Sequence, residues 1–307
     1  MPLISVVAPV YNEEGCLEEF CKRLRAALEQ VTGDFEVLLV DDGATDGSWR
    51  VITELARRDR RVKGLQFSRN FGQHYGITAG LDHCDGDWVV VMDCDLQDRP
   101  EEIPRLYAKA LEGYDVVLAR RGRRRDSLAK RFTSWLFYRV FSYLTETHYD
   151  GQVGNFRIIS RRVVENFRLV REQMRFVGGI VDWMGFPSAS IEVEHSRRFS
   201  GRGGYSLRKL WRLAQSIIVA YSDKPLRLAV RVGFAISAVA FLYGVYVVYR
   251  ALAHRVGIAG WSSLIASVYF LGGIIISILG LIGIYLGRTF AEAKRRPLYI
   301  VKERINV

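Results

Sequence analysis

Apolar and polar positions change rhythm along this chain. Up to about residue 120, short apolar runs alternate with amphipathic stretches. LISVVAPV (3–10), FEVLLV (35–40), VKGLQF (62–67), WVVVMD (88–93) and YDVVLA (114–119) read as buried strands. Between them, 13–31, 46–59, 73–84 and 101–112 carry the helical period of elements that cover a sheet. Asn12 with the Glu13-Glu14 pair suits the start of the first helix, and Asp46 the start of the second. Apolar strands alternating with helices predict a parallel sheet covered on both faces. In such sheets ligands sit outside the carboxyl ends of the strands. Residues 10–13, 41–43, 68–70 and 93–95 fall at those ends and are expected to share one rim.

Beyond residue 120 the alternation weakens. A helix is expected at 127–144, rich in aromatics, then a strand at 155–160 and a helix near 161–170. The Gly-rich FVGGIVDWMGF and a strand in SIEVEH follow. A basic loop, RRFSGRGGYSLRKLW, leads into a helix over 206–222 that mixes Arg and Lys with Leu, Ile and Trp, the pattern of a helix lying on a membrane surface. Residues 232–249 are uncharged for 18 positions and 256–287 for 32. A bilayer core needs about 20 apolar residues per helix, so these predict two membrane spans. The expected organisation is a domain at 1–205, an interfacial helix at 206–229, a two-helix transmembrane hairpin at 230–290 and a tail at 291–307. Basic residues before the first span and after the second outnumber Arg250 and Arg255 between them. That asymmetry predicts a protein of the cytoplasmic membrane with the large N-terminal domain and both termini on the cytoplasmic side. The first residues read as a strand, not a signal peptide. The Gly-rich second span permits close helix contacts and hence a homo-oligomer.

Charge sharpens the division. The net charge is +11, yet residues 1–119 carry −9 and residues 120–307 carry +20. An acidic, cation-attracting half is thus joined to a basic half that seeks anions. Seven basic residues crowd positions 120–131. Basic residues interleaved with aromatics suit nucleic acid, but two spans and an interfacial helix in the same half favour a membrane anion. Cys16, Cys21, Cys84 and Cys94 form no CxxC pair, so reduced, buried thiols are expected rather than a zinc site or a disulfide framework. The histidines, at 74, 83, 148, 195 and 254, form no useful spacing and read as structural.

The chemistry concentrates in MDCDLQD. Asp93-x-Asp95 at the end of a central strand, with Gln97 close by, offers oxygen ligands to a hard cation. Mg²⁺ binds through one or two carboxylates plus substrate phosphates, so a metal-held diphosphate is expected there. A solvated turn is the bland alternative. Asp41 and Asp42 can accept hydrogen bonds from a base or ribose. There is no GxGxxG after the first strand and no P-loop, which argues against a dinucleotide. Asn155 in GQVGNFR stands where a catalytic base could be sought. A phosphate acceptor, with a second pKa of about 6, needs no base and is compatible with an amide.

PVYNE (9–13), DDGATDGS (41–48), SRNFGQ (68–73), MDCDLQDRPEEIP (92–104) and the two C-terminal spans resemble the polyprenyl-phosphate glycosyltransferases of glycosyltransferase family 2. That resemblance covers nearly the whole chain. It implies a GT-A type, Rossmann-like fold, with inverting transfer of one sugar from a nucleotide sugar, a UDP-sugar being expected, to a polyprenyl phosphate such as undecaprenyl phosphate. It further implies that Pro9, Tyr11, Glu13, Asp41 and Asp42 serve the nucleotide, with Arg69 and Gln73 bordering the donor pocket. Asp93, Asp95 and Gln97 would hold Mg²⁺ or Mn²⁺ and the diphosphate. Arg124, Arg131, Arg202 and Arg208 would grip the lipid phosphate, the first three acting in catalysis with the two carboxylates. A flippase for the product lipid is implied downstream, and no nucleic acid partner. The chain departs from the resemblance at Asn155, where relatives usually carry Asp, and at Gly203-Gly204-Tyr205, where they carry a Lys-containing run.

Two rivals stand beside this. One is a transferase acting on a sugar hydroxyl, with Asp150 or Asp182 as base. Gln173-Met174-Arg175-Phe176 only partly echoes the QxxRW of processive synthases. The other is a membrane-anchored sugar-nucleotide sensor without turnover.

Overall fold

The computed structural model describes residues 2–121, 153–194, 224–253 and 260–307. The chain divides into two units. A sheet unit includes the described residues up to 194 together with 296–307, and a helical unit includes 224–253 and 260–295. The helices expected at 127–144 and 206–222 lie outside the described residues.

In the sheet unit the expected alternation is realised. The elements are β1 (Ile4–Val10), α1 (Leu17–Leu28), β2 (Phe35–Asp41), α2 (Ser48–Arg58), β3 (Val62–Phe67), α3 (Gln73–His83), β4 (Trp88–Val91), α4 (Ile103–Ala110) and β5 (Val116–Arg121). After them come β6 (Val153–Ser160), α5 (Arg161–Leu169), α6 (Val177–Trp183), β7 (Ser188–Val193) and, at the end of the chain, β8 (Val301–Ile305). Among the described residues the strands form one sheet in the order β7-β5-β6-β4-β1-β2-β3-β8. β1 pairs in parallel with both β2 and β4, and β2 with β3. The chain therefore moves outward from β1 to β3 and then returns to the other side of β1, which makes the gap between β1 and β4 a topological switch point.

The sheet is mixed rather than parallel throughout. β6 runs antiparallel to β4 and β5, and β8 runs antiparallel to β3. The expected tail contributes β8, whose exposed Lys302, Glu303 and Arg304 give the sheet a charged edge. Asn306 Nδ2 donates to the carbonyls of Ala56 (2.8 Å) and Val62 (2.9 Å), and Trp49 Nε1 donates to Glu303 (3.1 Å). Tyr299 stacks on Phe67 at 5.2 Å and donates its hydroxyl to Asp82.

Apolar side chains pack on both faces. Ile4, Val6, Ala8 and Val10 of β1 join α1, α2 and α4 in one core, while Val7 joins α3, α5 and α6 in the other. The period-2 alternation of a strand produces this split. Gly80 lets α3 lie directly on β1, since a Cβ there would come within 2.1 Å of Val7 Cγ1.

The helical unit holds α7 (Lys224–Ala253, 30 residues) and α8 (Trp261–Ala293, 33 residues). At 1.5 Å per residue either exceeds the roughly 30 Å of a bilayer's hydrocarbon core. Leu226–Tyr243 and Phe270–Ala293 are apolar enough to cross a membrane. Phe234, Phe241, Ile276 and Leu286 are exposed on them, as lipid-facing side chains are in a protein taken without its bilayer.

Candidate active site

The rim forms where β1, β2, β3 and β4 end. β1 ends at Val10, and Asn12 then takes a left-handed backbone (φ 56°). That turn aims its Oδ1 at the β2–α2 loop, where it accepts from Thr45 N at 2.8 Å. The expected start of α1 at Asn12 is thus corrected. Asn12 bridges two loops, and α1 begins at Leu17. Asp46 likewise precedes the start of α2, its two oxygens accepting from the backbone N–H groups of Ser48 and Glu14. Tyr11 stands exposed on the rim.

Asp41 and Asp42 are both buried at the end of β2. Asp41 accepts from Ala44 N (2.9 Å) and Gln66 Nε2 (3.1 Å). Asp42 accepts the backbone N–H groups of Phe71 (2.6 Å) and Gly72 (2.9 Å). Burial raises both carboxyls above the ordinary Asp value. Asp42 therefore ties the loop after β3 to the end of β2, while Asp41 holds the β2–α2 loop and β3 itself. Gly43 makes this close approach possible: its φ is +67°, and a Cβ would lie 2.5 Å from the Arg69 carbonyl carbon. Arg69 is exposed and lies over the Phe71 ring at 4.0 Å.

β4 stops at Val91, so Asp93 lies two residues past the strand instead of within it. From there the burial alternates. Met92, Cys94, Leu96 and Asp98 point inward, while Asp93, Asp95 and Gln97 remain partly exposed in a row. Cys94 Sγ donates to Pro9 O, and Cys16 Sγ donates to Cys94 O at 3.2 Å, which fastens the row to the end of β1. The Cys16 hydrogen bond and burial push the Cys94 thiol well above its ordinary value, so it stays neutral. Asp95 Oδ1 accepts Gln97 N at 3.1 Å across Leu96, which takes φ 61°. A bulky residue in that region is costly and is held there by the surrounding packing.

Two amides meet at Asp93. Gln73 Nε2, from the first residue of α3, donates to Asp93 Oδ1 at 2.7 Å. Asn155 Nδ2, from β6, donates to the same oxygen at 3.3 Å. Beneath Asn155, the buried Arg157 donates to the carbonyls of Asn155 and Gly154. His74 lies beside this group, edge-on to Phe176. Burial and then the Arg157 and Arg175 charges lower its pKa to about 4, so it is neutral at physiological pH. Arg175 is itself buried, donating to Thr78 Oγ1 and Val170 O and lying over Phe167. The structural role expected of His74 agrees with this packing.

Pro9, Tyr11, Glu13, Asp41, Asp42, Arg69, Gln73, Asp93, Asp95 and Gln97 thus share the rim, with Gln73 bonded to Asp93 and Gln97 to Asp95. Arg124, Arg131, Arg202 and Arg208 lie outside the described residues. The Asn155–Asp93 contact and the Arg157–His74–Arg175 cluster had no signal in sequence spacing.

The donor set fits a hard divalent cation. Asp93, Asp95 and Gln97 offer oxygen from two carboxylates and an amide, and all three remain partly exposed. Among the described residues no group of three or more His, Cys, Asp or Glu is placed to hold a metal ion by itself. A sparse set of this kind leaves coordination to be completed by ligand phosphates.

Sheet order and switch point define a mixed α/β domain that carries its carboxylate row at the strand ends. The family model described as Glycosyl transferase family 2 matches residues 5–168, and the chain belongs to that family. It is a glycosyltransferase with a GT-A type fold. It is 40% identical over 304 residues to an uncharacterized glycosyltransferase of Bacillus subtilis, covering 99% of this chain and 94% of the relative. It is 38% identical to the prophage bactoprenol glucosyl transferase homolog of Escherichia coli and to the bactoprenol glucosyl transferase of Shigella phage SfV, covering 97% of this chain and 98% of each. The fold is similar to that of glucosyl-3-phosphoglycerate synthase from Mycobacterium tuberculosis, solved with Mn²⁺, UDP-glucose and phosphoglyceric acid (TM-score 0.51, 19% identity, 71% of this chain and 78% of that one).

Proposed function

We propose that this protein transfers a single sugar, with inversion, from a nucleotide sugar to a polyprenyl phosphate, giving a lipid-linked sugar for cell-envelope glycan. The observation that carries the donor half is the outward row Asp93, Asp95 and Gln97 at the β1/β4 switch point. The acceptor half draws support from near full-length likeness to proteins named bactoprenol glucosyl transferases and from two helices apolar enough to cross a membrane.

Asp93, Asp95 and Gln97 would hold Mg²⁺ or Mn²⁺, which when bound neutralises charge growing on a leaving diphosphate. The chain's own residues do the rest. Pro9, Tyr11, Glu13, Asp41 and Asp42 shape the nucleotide pocket, the last two by fixing the loops that line it. Arg69 and Gln73 border the sugar. Arg124, Arg131, Arg202 and Arg208 bind the acceptor phosphate and offset repulsion between two anions. The acceptor oxygen is already ionised, so Asn155 need not act as a base. The membrane hairpin brings the domain to the lipid headgroup from the cytoplasmic side, and a flippase would handle the product.

The test is direct. Purified protein is incubated with undecaprenyl phosphate, Mg²⁺ or Mn²⁺ and a panel of nucleotide sugars beginning with UDP-glucose, and glycosylated lipid is sought by mass spectrometry. Product from one donor, abolished by EDTA and reduced at least about a hundredfold in Asp95→Ala, is expected. Turnover onto a sugar hydroxyl with none onto the lipid would replace the acceptor assignment.

A further inference from the structure

One oxygen at the rim receives side chains from two elements far apart in sequence. β6 lies antiparallel to β4 with Val91 opposite Arg157, so two residues further along Asn155 stands opposite Asp93. Gln73 comes to the same place from the start of α3. Both donate to Asp93 Oδ1, at 3.3 Å and 2.7 Å. The backbone under Asn155 is itself held, because the buried Arg157 donates Nε to Asn155 O (3.2 Å) and Nη2 to Gly154 O (3.0 Å). Gln73 is exposed and Asn155 half-buried, so neither amide is needed to fill the core.

We propose that Asn155 is a positioning residue for the donor site, acting together with Gln73 to orient the Asp93 carboxylate toward the metal–diphosphate. This rests on the donor-site assignment made above. Asp93 follows the end of β4 and has no strand ladder to fix it. Two N–H donors on one carboxylate oxygen restrict its rotation. Because both donors are neutral, they add no charge to a site that must attract a cation and release a diphosphate. The two amides share one acceptor oxygen, so their effects on the carboxylate are coupled rather than independent.

The test measures Mn²⁺ binding without turnover. The full-length protein is titrated with Mn²⁺ in the presence of UDP, GDP or CDP, and free Mn²⁺ is counted by its EPR signal. Asn155→Leu, Asn155→Ala, Gln73→Leu and the double variant Gln73→Leu/Asn155→Leu are compared with wild type, each checked by thermal unfolding. Each single variant is expected to weaken Mn²⁺–nucleotide binding about 2- to 10-fold, the loss of one hydrogen bond. The double variant is expected to depart from the product of the two single losses, because both amides act on the same oxygen. Single variants that bind as wild type does, or a double variant whose loss equals that product, would overturn the positioning role. If Asn155→Leu fails to fold, the cycle built on Asn155→Ala decides the matter. A wild type that binds Mn²⁺–nucleotide no better than Asp95→Ala would instead overturn the donor-site assignment itself, and this inference with it.

Discussion

Phe156 on β6 is 1% exposed and Phe234 on α7 is 75% exposed. The same side chain meets opposite surroundings in the two units. In the sheet unit Phe20, Phe156 and Phe167 fill spaces between helices and strands, and water is their alternative. In the helical unit Phe234, Phe241, Ile276 and Leu279 point outward over a long apolar surface. Such a surface is stable only where the solvent is itself apolar. The comparison teaches that burial is relative to the medium. One unit excludes water by folding on itself, and the other is suited to a bilayer that excludes water for it.

The comparison can be strained at several points. The largest effect is expected from matched truncations. Phe156→Ala should destabilise the sheet unit by about 3–5 kcal/mol, while Phe234→Ala should change its thermal unfolding in detergent by less than about 0.5 kcal/mol. Equal losses would mean that α7 is packed like a core helix. Next, Ile276→Lys places one charge on the exposed face of α8. In a bilayer it costs about 2.5–3.5 kcal/mol, and the protein should shift from the membrane pellet to the alkaline wash. On a helix facing water the same change would be nearly neutral, and unchanged pelleting would break the contrast.

His74 gives a smaller, pH-dependent effect inside the sheet unit. Its pKa is lowered to about 4 from 6.5, chiefly by burial. The unfolded chain therefore takes up the proton first as pH falls. The stability linked to His74 is full above about pH 6.5 and is lost as pH drops from there toward 4. Between pH 7.5 and 5 this amounts to roughly 2 kcal/mol. His74→Phe should flatten that part of the stability profile, and a profile parallel to wild type would show that the imidazole titrates alike in the folded and unfolded chain. Smallest is Asn306→Ala, which removes both hydrogen bonds from the end of β8 to Ala56 and Val62. A loss of about 1–2 kcal/mol in thermal unfolding is expected, and a loss of zero would mean that β8 is held by Tyr299 and the strand ladder alone.

Much of this was readable in the chain. The strand runs fell within two or three residues of their observed bounds, because five apolar stretches separated by amphipathic periods leave little choice. The clustering of Tyr11, Asp42, Arg69 and Asp93 at one rim followed from parallel order alone. Other features were not readable. LEEFCKRLRAAL begins four residues later than the polar start at Glu13 implied, because Asn12 and Glu14 serve contacts to the β2–α2 loop. VKERI has only two apolar residues and gives no strand signal strong enough to stand out. Its pairing with β3 depends on a partner more than 230 residues away in sequence.

By itself the sequence determined the periodic elements, the two long apolar helices and the residue types gathered at strand ends, since each depends on neighbours within a few residues. The tertiary structure decided which of those residues meet. Asn155 reaches Asp93 only because β6 runs antiparallel to β4 in one particular register, and a shift of one residue would turn its side chain to the opposite face. Asp42 became a clamp on Phe71 and Gly72 because the loop after β3 closes over the end of β2. Register and loop closure are set by the packing of the whole sheet, and no local stretch of the chain carries that information.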